Sequence, residues 1–104
     1  MTNKYGAELD RNGYAPSIMH GGNECYICGR SGILQRHEIF GAANRDRSKE
    51  YGLWVALCPE CHNNLHFRNA EVKKLLRVRG QLQAMFTYIW NKDDFRELFG
   101  KNYL

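Results

Sequence analysis

Two short stretches decide the fold of this chain: Cys25-Tyr26-Ile27-Cys28 and Cys58-Pro59-Glu60-Cys61. Each stretch is a zinc-knuckle pattern, in which a tight turn can direct two sulfurs to the same side. Residues 29–57 separate the two patterns, a distance that suits two knuckles flanking a β-hairpin. Four convergent thiolates match one tetrahedral zinc ion with Zn–S bonds of about 2.3 Å. The sequence therefore predicts a structural zinc bound by Cys25, Cys28, Cys58 and Cys61.

The expected compartment also favours thiolate ligands over disulfides. The first five residues, 1–5, have no basic stretch followed by an apolar run, so we expect no signal peptide. No segment approaches the roughly 18–20 apolar residues that span a bilayer. We therefore expect a cytoplasmic protein with reduced thiols. Ordinary buried or redox-active cysteines are the alternative, but the βαβ context of a thioredoxin-like redox protein is missing.

Composition indicates one globular domain with a basic surface. The chain has 104 residues, of which 43% are hydrophobic and 25% charged, so it can bury one modest core. Fifteen Lys and Arg against eleven Asp and Glu give a net charge of +4. This balance is compatible with a polyanionic partner or with solubility alone. Because so small a core gives little margin, zinc should contribute directly to folding.

Hydrophobic patterning divides the domain into three parts. Residues 1–22 lack periodicity and should form an N-terminal arm, 23–67 should form the zinc-braced core, and 68–104 should be a helical extension. Within the core, 33–40 and 53–57 are predicted strands. The polar stretch 41–52 should be a loop or a short irregular helix. The expected class is small α+β, a zinc-braced hairpin plus helix with C-terminal helices.

The helical extension should contain one long and one short helix. The long helix is predicted over about 69–90, with Gly80 allowing a kink or a break. The short helix should begin near Asp93 or Asp94 and stop at Gly100. The apolar face of the long helix could pack within the chain or form a homodimer. That face is an amphipathic stripe of Val72, Leu75, Leu76, Leu82, Met85, Phe86 and Ile89.

Three histidines suggest a second metal site. His62 and His66 lie four residues apart, so a helix would place them on one face. His37 lies on the first predicted strand, which the two knuckles should bring beside that helix. The alternative is that His62 caps or hydrogen-bonds within its helix while His37 and His66 are surface residues. His20 has no partner motif and receives no role.

The order of these groups resembles the HNH endonuclease family. The resemblance rests on the first Cys-x-x-Cys, then His37-Glu38-Ile39, then Leu57-Cys58-Pro59-Glu60-Cys61-His62, and finally His66. The runs 37–45 and 99–104 are also similar to small HNH-like proteins of bacteriophages and prophages. The family implies a ββα-metal, treble-clef-like core and hydrolysis of DNA phosphodiester bonds. It also implies location in a bacterial host cell.

The resemblance assigns roles by position. His37, His62 and His66 match ligands of a catalytic divalent metal such as Mg²⁺ or Mn²⁺, and Glu38 occupies the place of the general base. Asn44 is the nearest candidate for the family's middle Asn, although it could instead make a loop turn. Three outcomes stay open for the base: Glu38, His37 in a register slipped by one residue, or a degenerate site. The functional interpretations are thus a metal-dependent DNA endonuclease or nickase, or a catalytically inactive zinc-knuckle module that binds DNA or protein.

Basic residues around the candidate site could bind the phosphate backbone of DNA. No base-reading module is evident, so little sequence readout is expected. A second cluster, Lys73, Lys74, Arg77 and Arg79, is expected to be an ordinary solvent face of the long helix. The predicted DNA contacts are Arg36, Arg45, Arg47 and Lys49.

Overall fold

One two-stranded antiparallel sheet and four α-helices make up the structure, a computed structural model that describes residues 1–104. The small α+β class is therefore confirmed. No helix has the length and apolar character needed to cross a membrane. In chain order the elements are β1 (Gln35–Glu38), a 3-10 helix (Ala42–Asn44), α1 (Arg45–Glu50), β2 (Trp54–Leu57), α2 (Pro59–Phe67), α3 (Ala70–Tyr88) and α4 (Lys92–Phe99).

The register of the sheet fixes where the candidate site residues point. His37 pairs with Val55 and Glu38 pairs with Trp54. Because side chains alternate along a strand, His37 and Glu38 lie on opposite faces of the sheet. His37 is 6% exposed and faces the interior with Val55, whereas Glu38 shares its face with Trp54.

The connection between the strands is mostly helical. The 3-10 helix and α1 occupy 42–50, within the segment predicted as a loop or short irregular helix. Ser48, which is fully buried, accepts a hydrogen bond from the Phe40 backbone N–H and donates one to the Leu53 carbonyl. One hydroxyl thus joins the end of β1 to the start of β2.

Helix α2 begins at the second zinc knuckle. Cys58 is its N-cap, and the sulfur accepts a hydrogen bond from the backbone N–H of Cys61. Pro59 occupies the first turn, where its missing N–H costs nothing and its fixed φ suits a helix. The same turn therefore gathers two cysteines and sets the direction in which His62 and His66 project.

Helix α3 is continuous through Gly80, so the kink or break considered from the sequence does not occur. A Cβ at Gly80 would lie 3.1 Å from Ile39 Cγ2 and 3.3 Å from Phe40 Cε2. Glycine is needed there because the helix backbone packs closely against the end of β1.

Only part of the predicted apolar stripe of α3 packs within the chain. Of its members, Leu76 is buried and Met85 packs against the core. The remaining core positions are taken by Gly80, Gln81 and Ala84. The other five members lie on the outer surface and are exposed: Val72, Leu75, Leu82, Phe86 and Ile89.

Helix α4 closes the core and ends where the sequence predicts. Asn91 and Asp94 form a capping box at its start, and Gly100 ends it in the left-handed region at φ 78°. Phe95 and Phe99 are fully buried, and both pack against Phe40 at the end of β1. The aromatic cluster of Phe40, Phe95 and Phe99 therefore anchors the end of the strand that carries His37.

The N-terminal arm, 1–22, contains no helix or strand, but it is bonded to the sheet edge. Ser17 Oγ donates to the Trp54 carbonyl, and the Trp54 indole N–H donates to the Ala15 carbonyl. His20 Nε2 accepts a hydrogen bond from the backbone N–H of Ala56. His20 thus has a structural partner that the sequence did not reveal.

Gly52 should be far less tolerant of a side chain than Gly100. Both have positive φ, 72° and 78°, so alanine strains the backbone at each. At Gly52 the added Cβ would also clash with the Pro16 carbonyl oxygen, whereas at Gly100 it would meet nothing. Gly52→Ala should cost at least about 3 kcal/mol of unfolding free energy and Gly100→Ala about 1 kcal/mol, measured by urea unfolding at matched zinc content. Equal losses would contradict the close approach of the arm to Gly52.

Candidate metal centres

The four cysteines converge at the junction of the first knuckle and α2. Their sulfurs all lie within 4.8 Å of one another, and Cys28 Sγ is 3.8 Å from Cys58 Sγ. A regular tetrahedron with Zn–S bonds of about 2.3 Å has sulfur–sulfur edges of about 3.8 Å. The cluster could therefore hold a structural zinc, and this part of the prediction is supported by the geometry.

Backbone N–H groups point at two of the sulfurs. The N–H of Cys28 lies 3.5 Å from Cys25 Sγ, and the N–H of Cys61 lies 3.4 Å from Cys58 Sγ. Burial opposes ionisation of Cys25, but the backbone hydrogen bonds outweigh it and hold the pKa of this thiol at about 6. Burial and the neighbouring sulfurs raise the pKa of Cys61. Four thiolates this close repel one another unless a cation lies between them.

The three predicted histidines also converge. A ligand nitrogen from each of His37, His62 and His66 lies within 4.8 Å of the other two. His62 Nε2 and His66 Nε2 are 3.1 Å apart and within hydrogen-bond distance of each other. The same separation is close to the roughly 3.0–3.4 Å expected of two nitrogens bound to one ion at about 2.1 Å. His37 is buried, so the alternative that it is a surface residue is wrong.

The environment of His37 and His62 favours the neutral form of both rings. Burial, with help from charge on His62 and His66, lowers the pKa of His37 to about 4. Burial, again with His66, lowers the pKa of His62. Both rings are then neutral at pH 7 and can offer a lone pair. His37 Nε2 is buried without a hydrogen-bond partner, which is unusual for a polar atom and leaves room for a ligand to supply that partner.

Gln35 orients His62, a role that the sequence did not suggest. Gln35 Oε1 lies 2.7 Å from His62 Nδ1 and can accept its proton, which leaves Nε2 free to face His66. Such a partner on the second nitrogen fixes the tautomer of a metal-binding imidazole. Gln35 lies two residues before His37 on β1, so both project from one face of the strand. The two-residue spacing between Gln35 and His37 could have indicated from the sequence that Gln35 lies near the histidines.

Glu38 and Asn44 are engaged elsewhere. The Glu38 carboxylate, with a side chain only 10% exposed, accepts a hydrogen bond of 2.6 Å from Arg45 Nε. It is not among the groups that converge with the histidines. The Asn44 side-chain amide donates to the Phe99 carbonyl and so ties the 3-10 helix to the end of α4. Both residues nevertheless line the same open cavity as the histidines.

That cavity, of about 700 Å³, has cationic walls. Arg36 and Arg45 line one side, as the prediction of DNA contacts would require. Lys73 and Arg77 of α3 also line it, so these two are not part of an ordinary solvent face. Their position could have been found from helical spacing, since they flank the buried Leu76 and Gly80.

Two of the predicted DNA contacts lie outside the cavity. Arg47 donates to the Leu98 carbonyl, and Lys49 lies 4.8 Å from the centre of the Tyr14 ring. Arg36 lines the cavity, but its guanidinium also pairs with Asp10 at 2.7 Å and lies 4.3 Å from the centre of the Tyr14 ring. The basic residues that line the cavity thus belong to β1, α1 and α3, and not only to the polar segment 41–52 between the strands.

Metal removal should unfold the protein through the cysteine cluster. A strong chelator should abolish most helical circular dichroism, because apparent free energies of about 10–16 kcal/mol are typical of structural zinc sites. Cobalt substitution reads this site selectively, since a thiolate charge-transfer band requires bound sulfur. The band should be weaker in Cys58→Ser, which removes one of four thiolates, and unchanged in His62→Ala. A chelated chain that stays fully helical would exclude a structural role for the metal.

Comparisons of the chain with protein-family models, with curated proteins and with solved structures give no match. No relative therefore contributes to the interpretation of either cluster.

Proposed function

We propose that this protein is a metal-dependent DNA endonuclease or nickase of the HNH type, with a ββα-metal core braced by zinc. One observation carries the proposal: three imidazoles converge beside a four-cysteine cluster, at the floor of a cavity with cationic walls. Metal-assisted phosphodiester hydrolysis needs a metal held at an open site and groups that bind phosphate, and the histidines and the cationic walls could supply both.

The donor set favours some ions over others. His37, His62 and His66 would hold the second ion, and all three offer nitrogen. Imidazole suits Zn²⁺, Ni²⁺ and related transition metals, whereas Mg²⁺ prefers oxygen ligands. We therefore favour a transition metal, with Mn²⁺ ahead of Mg²⁺. Such an ion would act as a Lewis acid on a phosphate oxygen.

The chain's own residues would bind and orient the substrate. Lys73 and Arg77 would contact phosphates around the scissile bond, and a guanidinium group such as that of Arg77 can do so with two hydrogen bonds. Gln35 would hold His62 in one tautomer. Arg77 Nε is buried without a hydrogen-bond partner, so this side chain keeps an unused donor.

One observation favours the alternative, an inactive zinc-knuckle module that binds DNA or protein. The Glu38 carboxylate is paired with Arg45 on the face of the sheet opposite His37. A carboxylate held in this way is poorly placed to take a proton from water near the histidines. If Glu38 is the only candidate base, the site would bind phosphates without cleaving them.

Cleavage of supercoiled plasmid and branched DNA with Mn²⁺, Ni²⁺, Zn²⁺ or Mg²⁺ tests the proposal. His62→Ala and His37→Ala should each reduce nicking at least about 100-fold, because each removes a metal ligand. Glu38→Ala should reduce it similarly only if Glu38 is the base. The cobalt–thiolate band serves as the control for an intact fold. Nicking that is unchanged in His62→Ala would refute the assignment, and salt-sensitive binding without cleavage would support the inactive module.

Adjacent lysines give a matched test of the DNA surface. Lys73 lines the cavity, whereas Lys74 does not and is exposed on the outer side of α3. Lys73→Ala should weaken binding and make the log–log salt slope shallower by about one, the value for one lost phosphate contact. Lys74→Ala removes the same charge from the same helix and should change the slope little. Equal effects of the two substitutions on a labelled duplex would place the DNA elsewhere.

A further inference from the structure

The outer face of α3 is apolar although nothing in the chain covers it. Its large side chains are substantially exposed, most of all Phe86 at 81% and Ile89 at 89%. The core side of the same helix is built from smaller or polar groups, including Gly80, Gln81 and Ala84. We call the exposed row the outer seam: Val72, Leu75, Arg79, Leu82, Phe86 and Ile89.

The spacing of the outer seam is that of a helix pairing with another helix. Successive members are three, four, three, four and three residues apart, which is the 3.5-residue period of coiled-coil a and d positions. On a helical wheel the seam lies almost opposite the core positions. A period of 3.5 residues keeps a stripe facing one partner helix along its length, here about 28 Å for the 19 residues of α3.

The exposed apolar area matches what helix pairing would bury. The five apolar members together expose on the order of 600 Å², at the top of the range of roughly 300–600 Å² for the largest patch on a typical monomer. Standard interfaces bury about 800 Å² on each partner. With Arg79 and the flanking side chains, two outer seams would supply a contact of that size.

Ile89 adds an independent observation. It is the C-cap of α3 in the left-handed conformation, with φ 57° and ψ 48°. This conformation is a genuine outlier for a β-branched residue and favours glycine. Within its own chain this conformation closes the end of the helix, since the backbone N–H groups of Ile89 and Trp90 both donate to the Met85 carbonyl. Glycine would do this without strain, so the isoleucine side chain, which is 89% exposed, is not needed for the cap itself.

We propose that the outer seam pairs with the outer seam of a second copy of this chain, with the two α3 helices antiparallel. In a parallel pair each Arg79 would face the other Arg79, and like charges would meet in the middle of the contact. In the antiparallel pair the two-fold axis passes between Arg79 and Leu82, so each Arg79 faces Leu82 of the other copy. Leu75 then meets Phe86, and Val72 meets Ile89, at both ends of a self-complementary interface.

This dimer is independent of the proposed function. The α3 residues that line the histidine cavity, Lys73 and Arg77, are on the core side of the helix. The dimer therefore leaves both cavities open on its two outer sides. Its failure would say nothing about hydrolysis, and a lack of hydrolysis would say nothing about the dimer.

Sedimentation of the zinc-loaded chain at about 100 µM tests the pairing. The wild type should sediment at about 24 kDa, twice the 12.1 kDa of the chain. Phe86→Asp should raise the dissociation constant at least about 100-fold and give a monomer. Thr87→Asp adds the same charge one residue away on an exposed position outside the seam, and should stay dimeric. A monomeric wild type, or a dimer that survives Phe86→Asp, would overturn the proposal.

Mixing two variants tests the orientation. Leu75→Lys and Phe86→Glu should each be monomeric, with circular dichroism and the cobalt–thiolate band unchanged. In the antiparallel pair their mixture places the introduced lysine opposite the introduced glutamate at one end. The other end keeps the native contact between Phe86 and Leu75, so a heterodimer should form. A parallel pair would bring neither charge opposite its complement. Absence of a heterodimer would therefore exclude the antiparallel arrangement.

Discussion

The convergence of four sulfurs is the constraint on which the rest of the structure depends. It joins the first knuckle, which precedes β1, to the N-terminus of α2, which follows β2. The sheet has only two strands of four residues each, too little for independent stability. The cysteine cluster holds the start of β1 and the end of β2 at one point, which sets the direction of α2. Helix α2 in turn places His62 and His66 beside the buried His37.

The sequence predicted most of the local elements and the grouping of the four cysteines and of the three histidines. Two Cys-x-x-Cys turns and an i, i+4 histidine pair encode their geometry within a few residues, so cysteines and histidines could be grouped without knowing the packing. The end of α4 at Gly100 was equally local, since a left-handed C-cap favours glycine. The HNH resemblance and the role of each histidine in chemistry stay predictions.

The sequence did not reveal which side of α3 packs against the core. The apolar stripe predicted for α3 could pack within the chain or form a homodimer, and the sequence did not say which of its members would be buried. The structure buries the row with Gly80 and Ala84, because the helix must approach β1 closely. The same packing places Lys73 and Arg77 in the cavity wall. Long-range partners such as Asn44 with Phe99, or Gln81 with Asn102, leave no periodic trace.

Gly80 determines how wide the cavity is. The backbone of α3 packs directly on Ile39 and Phe40, because Gly80 has no Cβ. This close contact sets the distance between the histidines and the basic residues Lys73 and Arg77, which line the same cavity. Any larger residue at position 80 would push α3 away from Ile39 and Phe40 and widen the cavity. A hydrogen atom in place of a methyl group at position 80 thus sets the distance between the histidines and the basic residues of α3.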